Sequence, residues 1–221
     1  MKILSLEFSS HQRSVAVLDA DGRGSVLTTS QVVDASPGKS MMPLGMVESA
    51  LQQAGLEREH IGCVAVGLGP GSYTGVRVAI ALAQGWQLAR GVKLLGISSA
   101  SCVAAQSLRD GFMGRLSVVV DAQREEFYLA AYEINATGLR EVEPLRLASM
   151  AEAREREDAG EVLIGPDVTR WFKGGHVVFP RAATLGGLAY EQQEFVQGEK
   201  LEPIYLRETK FVKAPPTRIV P

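Results

Sequence analysis

Several residue patterns are scarce in this chain, and each scarcity limits the class of protein. No apolar run reaches the length of about 18 residues that a membrane-spanning helix requires. The 23 Lys and Arg nearly balance the 25 Asp and Glu, so there is no basic stripe of the kind expected of a protein that grips RNA unaided. The first residues, Met1 to Glu7, place an acid at once within a predicted strand, unlike a signal peptide. We therefore expect a cytoplasmic protein with no membrane attachment.

Cysteine and histidine are also rare, which bears on metal and redox chemistry. Cys63 and Cys102 both lie in apolar segments and are predicted to be buried thiols rather than a disulfide. The three histidines, His11, His60 and His176, form no i, i+4 pair and have no cysteine at ligand spacing. The sequence thus predicts no metal site and no other cofactor, and His60 is expected to face solvent.

Hydrophobic periodicity predicts an α/β protein with two units. The first unit reads β-β-β-α-β-α-β-α and is complete by about residue 108; Gly55 is predicted to end its first helix. The second unit begins with a strand at Leu116 and has a similar opening, as a duplicated fold would. We predict an N-terminal lobe over residues 1–110 and a smaller C-terminal lobe over residues 111–221, ending in a mobile Lys- and Pro-containing tail.

A glycine-dense turn between a predicted strand and a predicted helix is the most informative segment. The turn contains Gly69, Pro70, Gly71, Ser72, Thr74 and Gly75. Glycines permit a close approach of another backbone or of an anion, and Ser72 and Thr74 are good helix caps. A helix start of this kind can hold a phosphate, but the spacing is neither a Walker A loop nor a Rossmann fingerprint. A structural turn and a ligand-binding loop therefore both remain open.

The helix predicted after this turn, Val76 to Arg90, carries apolar residues nearly all the way round. Since a surface helix normally keeps a single apolar stripe, this one is expected to be covered by a second domain or by a second protein. The preceding helix, with Leu44, Val47, Ala50, Leu51 and Ala54 on its core face, places Met42 and Met46 one turn apart on another face. That pair suits either an adaptable contact surface or a wide core face.

Four segments together resemble one family. The motif Gly69 to Arg77, the opening Ile3 to Ser9, the loop Val120 to Arg124 and the ending Pro203 to Arg207 resemble the bacterial TsaB (YeaZ) proteins over essentially the whole chain. The resemblance implies an actin-like ATPase (ribonuclease H-like) fold with two lobes and mixed sheets flanked by helices. It also implies a non-catalytic scaffold that binds TsaD, the catalytic subunit that forms threonylcarbamoyladenosine beside the tRNA anticodon.

The resemblance further implies partners and a contact surface. The chain is expected to contact TsaE through its complex with TsaD and to contact tRNA only indirectly. When TsaD is absent, the chain is expected to form a homodimer. The predicted interface residues are Met42, Met46, Val76, Arg77, Ile80, Ala81, Gln84 and Leu88.

The chain departs from the family pattern at two places. Glu7-Phe8 stands where the family has Asp-Thr, and Phe8 argues against ordinary nucleotide binding, because a small residue meets the phosphates in phosphate-binding relatives. Lys39-Ser40 belongs to a run that replaces a His-Ser-Glu-like helix start. Two other functions are alternatives to the scaffold. A nucleotide-using enzyme of the kinase or ATPase type would hold phosphates on the Gly69–Gly75 amides. A peptidase is disfavoured because Ser72 lies in no Gly-x-Ser-x-Gly elbow. Asp121, Glu125 and Glu126 could serve acid–base chemistry or simply form a solvated loop beside Arg124.

Overall fold

The computed structural model describes residues 1–20, 26–35 and 42–206. The predictions made for Lys39, Ser40, Arg207 and the mobile tail lie outside these residues. The strands are β1 Lys2–Glu7, β2 Arg13–Ala20, β3 Val26–Asp34, β4 Cys63–Gly67, β5 Lys93–Ile97, β6 Gly114–Asp121, β7 Glu126–Asn135, β8 Gly138–Ser149, β9 Val162–Gly165 and β10 His176–Val177. The helices are α1 Pro43–Ala54, α2 Tyr73–Arg90, α3 Ser99–Arg109, α4 Met150–Asp158 and α5 Ala182–Gln192.

Two five-stranded mixed sheets share one topology. The first has the order β3-β2-β1-β4-β5, in which β2 is antiparallel to β1 and β3 while β1, β4 and β5 run parallel. The second has the order β10-β9-β6-β7-β8, which repeats this pattern with its own five strands. The fold is thus of the actin-like, ribonuclease H-like class, and the expected duplication is confirmed.

The helices and sheets form five layers. On the outer face of the first sheet, α1 and α2 bury Met46, Val47, Ala50, Leu51, Val76, Ala79, Ile80 and Ala83. Its inner face is covered by α5, through Ala182, Leu185 and Ala189. The inner face of the second sheet is covered by α3, through Ala100, Val103 and Ala104. On the outer side of the second sheet lies α4.

The two middle helices each cover the sheet of the other half of the chain. The helix α3 follows the strands of the first sheet but packs on the second, and α5 follows the second sheet but packs on the first. The lobe division at residue 110 therefore stays a prediction.

Several predicted elements differ in the structure. The segment Gly138–Ser149 was not predicted, yet it forms β8, the longest strand. The helix α5 ends at Gln192, because Gln193 adopts a left-handed conformation. Leu44, predicted for the core face of α1, is exposed, whereas the predicted left-handed cap at Gly55 is present. No helix among the described residues combines the length and the apolar character needed to span a membrane.

Candidate functional site

The glycine loop packs directly against the turn that follows β1. A Cβ added to Gly71 would lie 2.1 Å from the carbonyl oxygen of Ser9, and one added to Gly75 would lie 2.0 Å from that of Phe8. Such distances leave no room for any side chain. The amide of Ser72 donates to the carbonyl oxygen of Ser9 at 2.6 Å, which ties the two turns together.

Several amides of this loop donate to groups of the protein itself. The Gly69 amide donates to Ser99 Oγ at 3.1 Å, and the Gly75 amide donates to Ser72 Oγ, which makes Ser72 the N-cap of α2 as predicted. Thr74 lies exposed in the first turn instead of capping it, and Pro70 follows a cis peptide bond. These contacts favour the structural interpretation of the loop over a phosphate cradle.

A fully buried carboxylate links three segments behind the loop. Glu7 accepts hydrogen bonds from the Ser9 amide at 2.8 Å and from the Ser99 hydroxyl at 2.9 Å. Because the Ser99 hydroxyl oxygen also accepts from the Gly69 amide, the end of β1, the glycine loop and the start of α3 share one network. Burial raises the pKa of Glu7 above its ordinary value, since a charged carboxylate is poorly solvated there.

The Phe8 side chain does not fill the space above the glycine loop, and its effect on nucleotide binding stays a prediction. The Phe8 side chain is completely buried in the core beneath α1 and α2 and so does not face the space above the loop. Strand alternation directs the side chain of Phe8 into the core, and only its carbonyl oxygen meets the loop, at Gly75.

The predicted interface residues fall into two groups. Met46, Val76 and Ile80 are buried in this chain's own core, so their side chains have almost no surface left for a partner. Met42 is 71% exposed and Leu88 is 89% exposed. Ala81 is exposed as well, while Arg77 and Gln84 are half-buried. The amide nitrogen of the Gln84 side chain donates to the carbonyl oxygen of Gly198, which fastens the C-terminal segment to α2.

One side of α2 is left uncovered by the described chain. Tyr73, Arg77, Ala81 and Gly85 follow each other at intervals of four and so form a ridge along the helix, with Leu88 beside its end. We call these five residues the outer ridge. Tyr73 and Gly85 are not among the predicted interface residues, although their i, i+4 spacing from Arg77 and Ala81 was a signal for them in the sequence.

A cleft of about 1370 Å³ opens between the two sheets beside the start of α2. On the side of the first sheet the cleft is lined by Arg13, Ser72 and Arg77. On the side of the second sheet it is lined by Asp121, Arg124 and Asp167.

The loop from β6 to β7 holds three consecutive non-glycine residues, Gln123 to Glu125, in the left-handed region. Each costs about 1–2 kcal/mol relative to an ordinary conformation. Asp121 accepts hydrogen bonds from the backbone and side-chain nitrogens of Gln123 and so supports this turn.

The three histidines lie in separate environments. His11 faces Asp167 across the cleft at 3.6 Å and packs edge-on against Phe179. His60 is exposed, as predicted, and accepts from the Glu57 amide. His176 contacts Phe112. Among residues 1–20, 26–35 and 42–206, no group of three or more His, Cys, Asp or Glu side chains is arranged to hold a metal. Both cysteines are free and buried.

Comparison with known proteins places the chain in a family. The family model described as TsaD, tRNA N6-adenosine threonylcarbamoyltransferase, matches residues 38–207. The tRNA threonylcarbamoyladenosine biosynthesis protein TsaB of Escherichia coli is 27% identical over 94% of this chain and 95% of its own length. TsaB of Bacillus subtilis is 26% identical over 97% of this chain and 99% of its own.

A solved structure agrees with these relatives. The structure of YeaZ from Pseudomonas aeruginosa aligns with a TM-score of 0.74 and 25% identity, covering 93% of this chain and 99% of that one. The chain therefore belongs to the family of the TsaD model and, among its members, to the TsaB (YeaZ) proteins.

Proposed function

We propose that this chain is a non-catalytic scaffold subunit in the biosynthesis of threonylcarbamoyladenosine in tRNA. It binds TsaD and supports the formation of the threonylcarbamoyl group together with TsaE, which it meets through the complex. The names of the relatives support the pathway, and the TsaD description of the family model supports TsaD as the partner.

The observation that carries this proposal is Leu88, which is 89% exposed on a helix whose opposite face is fully packed. A leucine left so open offers apolar surface that burial in an interface would remove from water. Ala81 and Gly85 beside it are small, so the backbone of a partner element can come close to α2. Leu44 on α1 and Met42 just before α1 add further exposed apolar surface, and Met42 suits a contact that must adapt in shape.

The glycine loop and its neighbours support a structural role for the segment that resembles a ligand loop. The Gly69 and Gly75 amides donate to serine hydroxyls, and Glu7 behind them is enclosed by its own partners. In this proposal the loop braces the start of α2, so that the outer ridge is presented in a fixed position.

The same ridge serves a second copy of this chain when TsaD is absent. A homodimer on this surface competes with the TsaD complex, because both occupy Leu88. The net charge of −2 agrees with contact to tRNA being made through the partner rather than by this chain. A cytoplasmic location follows from this role.

The test compares Leu88→Asp with Met113→Asp, since Met113 is also a large exposed apolar residue but lies outside the outer ridge. Each variant is titrated with purified TsaD by calorimetry, and far-UV circular dichroism verifies the fold. We expect Leu88→Asp to weaken binding about 30-fold or more, as at an interface hot spot, and Met113→Asp to leave Kd unchanged. Unchanged binding by a folded Leu88→Asp variant would refute the interface. Ile80 is unsuitable for this test, because a charge at that buried position would unfold the protein.

A further inference from the structure

An arginine lies against two aromatic rings that also contact each other, where α2 meets the cleft. The Cζ atom of Arg77 lies 3.3 Å from the ring centroid of Tyr73 and 5.0 Å from that of Tyr205. Its Nη1 donates to the carbonyl oxygen of Tyr73 at 3.1 Å. Ring contacts of this kind fix the orientation of a guanidinium while leaving much of its donor edge for another group. In the described part of the chain no carboxylate forms an ion pair with Arg77.

A second arginine of the same cleft wall has an unused donor. Arg13, the first residue of β2, lines the cleft, and its Nε is closed off from solvent without a hydrogen-bond partner among the described residues. A buried donor of a charged group is costly unless an acceptor completes it. Arg13 and Arg77 make this wall cationic, whereas Asp121 and Asp167 lie on the opposite wall.

This cationic wall is continuous with the outer ridge. Tyr73 and Arg77 are the first two members of the ridge, followed by Ala81 and Gly85 at the same spacing. A partner element that lies along α2 must therefore pass over the mouth of the cleft. The charges around the cleft favour one kind of group from the partner: a single carboxylate can pair with Arg77, whereas a polyphosphate would also face the carboxylates of Asp121 and Asp167 on the opposite wall.

We propose that TsaD inserts an Asp or Glu side chain into the mouth of the cleft, where its carboxylate pairs with Arg77 on the cationic wall that Arg13 also lines. This inference rests on the proposed docking of TsaD along α2 and adds to it the chemistry of one contact. An arginine–carboxylate pair that is partly shielded from water is stronger than an exposed one and fixes the register of the complex.

The experiment measures the Kd for TsaD at low and at moderate salt for Arg77→Met and Arg77→Glu. Arg124→Met is the matched control, because it removes a charge from the same cleft on the other wall. We expect Arg77→Met to weaken binding about 10-fold with a shallower salt dependence, and Arg77→Glu to weaken it about 100-fold. With Arg77→Glu, raising the salt concentration should improve binding instead of weakening it, because salt screens the repulsion of two carboxylates. Arg124→Met should bind as the unmodified chain does.

The outcomes separate this inference from the proposed function. If a folded Arg77→Glu variant binds within twofold of the unmodified chain while Leu88→Asp does not bind, the carboxylate contact is refuted and the docking on α2 stands. If both variants bind normally, both proposals fail. If Arg77→Glu binds weakly but keeps the ordinary salt dependence, the contact is steric and the proposed ion pair is refuted.

Discussion

Two glycines of α2 should respond in opposite ways to the same substitution. Gly75 and Gly85 both lie within the helix, where Ala is favoured over Gly by about 1 kcal/mol on intrinsic propensity. A Cβ at Gly85 would have nothing within 4 Å, so Gly85→Ala should gain most of that amount. A gain of about 1 kcal/mol corresponds to a Tm about 2–4 °C higher in a chain of this size.

At Gly75 the methyl group introduced by Gly75→Ala would clash with backbone atoms of the turn after β1. It would lie 2.0 Å from the carbonyl oxygen of Phe8 and 3.1 Å from Ser72 Oγ, so the start of α2 must move away by more than 1 Å. That movement strains or breaks the bond from the Ser72 amide to Ser9 and the cap bond of Ser72. Overpacking costs about 1–3 kcal/mol and loss of a cap about 1 kcal/mol. After subtracting the gain in propensity, we expect Gly75→Ala to lose about 1–3 kcal/mol and about 2–12 °C in Tm.

Urea unfolding followed by tryptophan fluorescence, together with thermal melts, measures both variants at one protein concentration. Trp86 and Trp171 report from different sheets, so coincident transitions also test for a single cooperative unit. The close packing of the glycine loop on the turn after β1 would be refuted by one combination of results. In that combination Gly85→Ala is stabilised and Gly75→Ala is at least as stable as the unmodified chain.

Two further predictions concern titrating groups. Burial raises the pKa of Glu7 above its ordinary value of 4.5, so its contribution to stability is present below that pH and is lost as pH rises through the folded-state pKa. For Glu143 the Arg156 guanidinium lowers the pKa, so its contribution is present above about pH 4.5 and is lost as pH falls. The stability of Glu7→Gln relative to the unmodified chain should therefore improve from pH 4 to pH 7, while that of Glu143→Gln should worsen. Urea titrations across this range test both, and parallel curves would contradict the assignments. Separately, burial raises the pKa of Cys63 to about 11 and that of Cys102 well above its ordinary value. A thiol reagent at pH 8 should thus label neither cysteine until the chain is unfolded, and rapid labelling of the native protein would show that the burial is wrong.

Local sequence patterns were sufficient for most of the fold. Alternating and continuous apolar runs identified the five strands of the first sheet and the strand that opens the second, and the caps at Ser72 and Gly55 followed from residue type. The missed strand β8 lies at an edge and contains Pro144, and its charged residues form ion pairs, as Arg140 does with Glu133. An edge strand with polar residues on both faces has no hydrophobic period to detect.

The candidate site was less predictable, because periodicity gives the angle of a residue around a helix but not the position of its neighbours. Ile80 and Leu88 are both apolar residues of α2, yet one is buried on the first sheet and the other is exposed. The exposure of Leu44 has the same origin, since spacing alone does not say how far the sheet extends along α1. The pairing of Arg77 with Tyr205 joins residues more than a hundred positions apart, which no local pattern encodes.

The exchange of α3 and α5 between the two sheets has a consequence for dividing the protein. A polypeptide cut in the loop between α3 and β6 yields two fragments, each carrying the helix that its counterpart needs. When either fragment is expressed alone, the inner face of its sheet is exposed to solvent. The N-terminal fragment then exposes residues such as Leu18 and Leu95, and the C-terminal fragment exposes residues such as Leu116 and Ile134. The separate pieces should be insoluble, and mixing them during refolding should restore a soluble pair, because each returns the missing cover to the other.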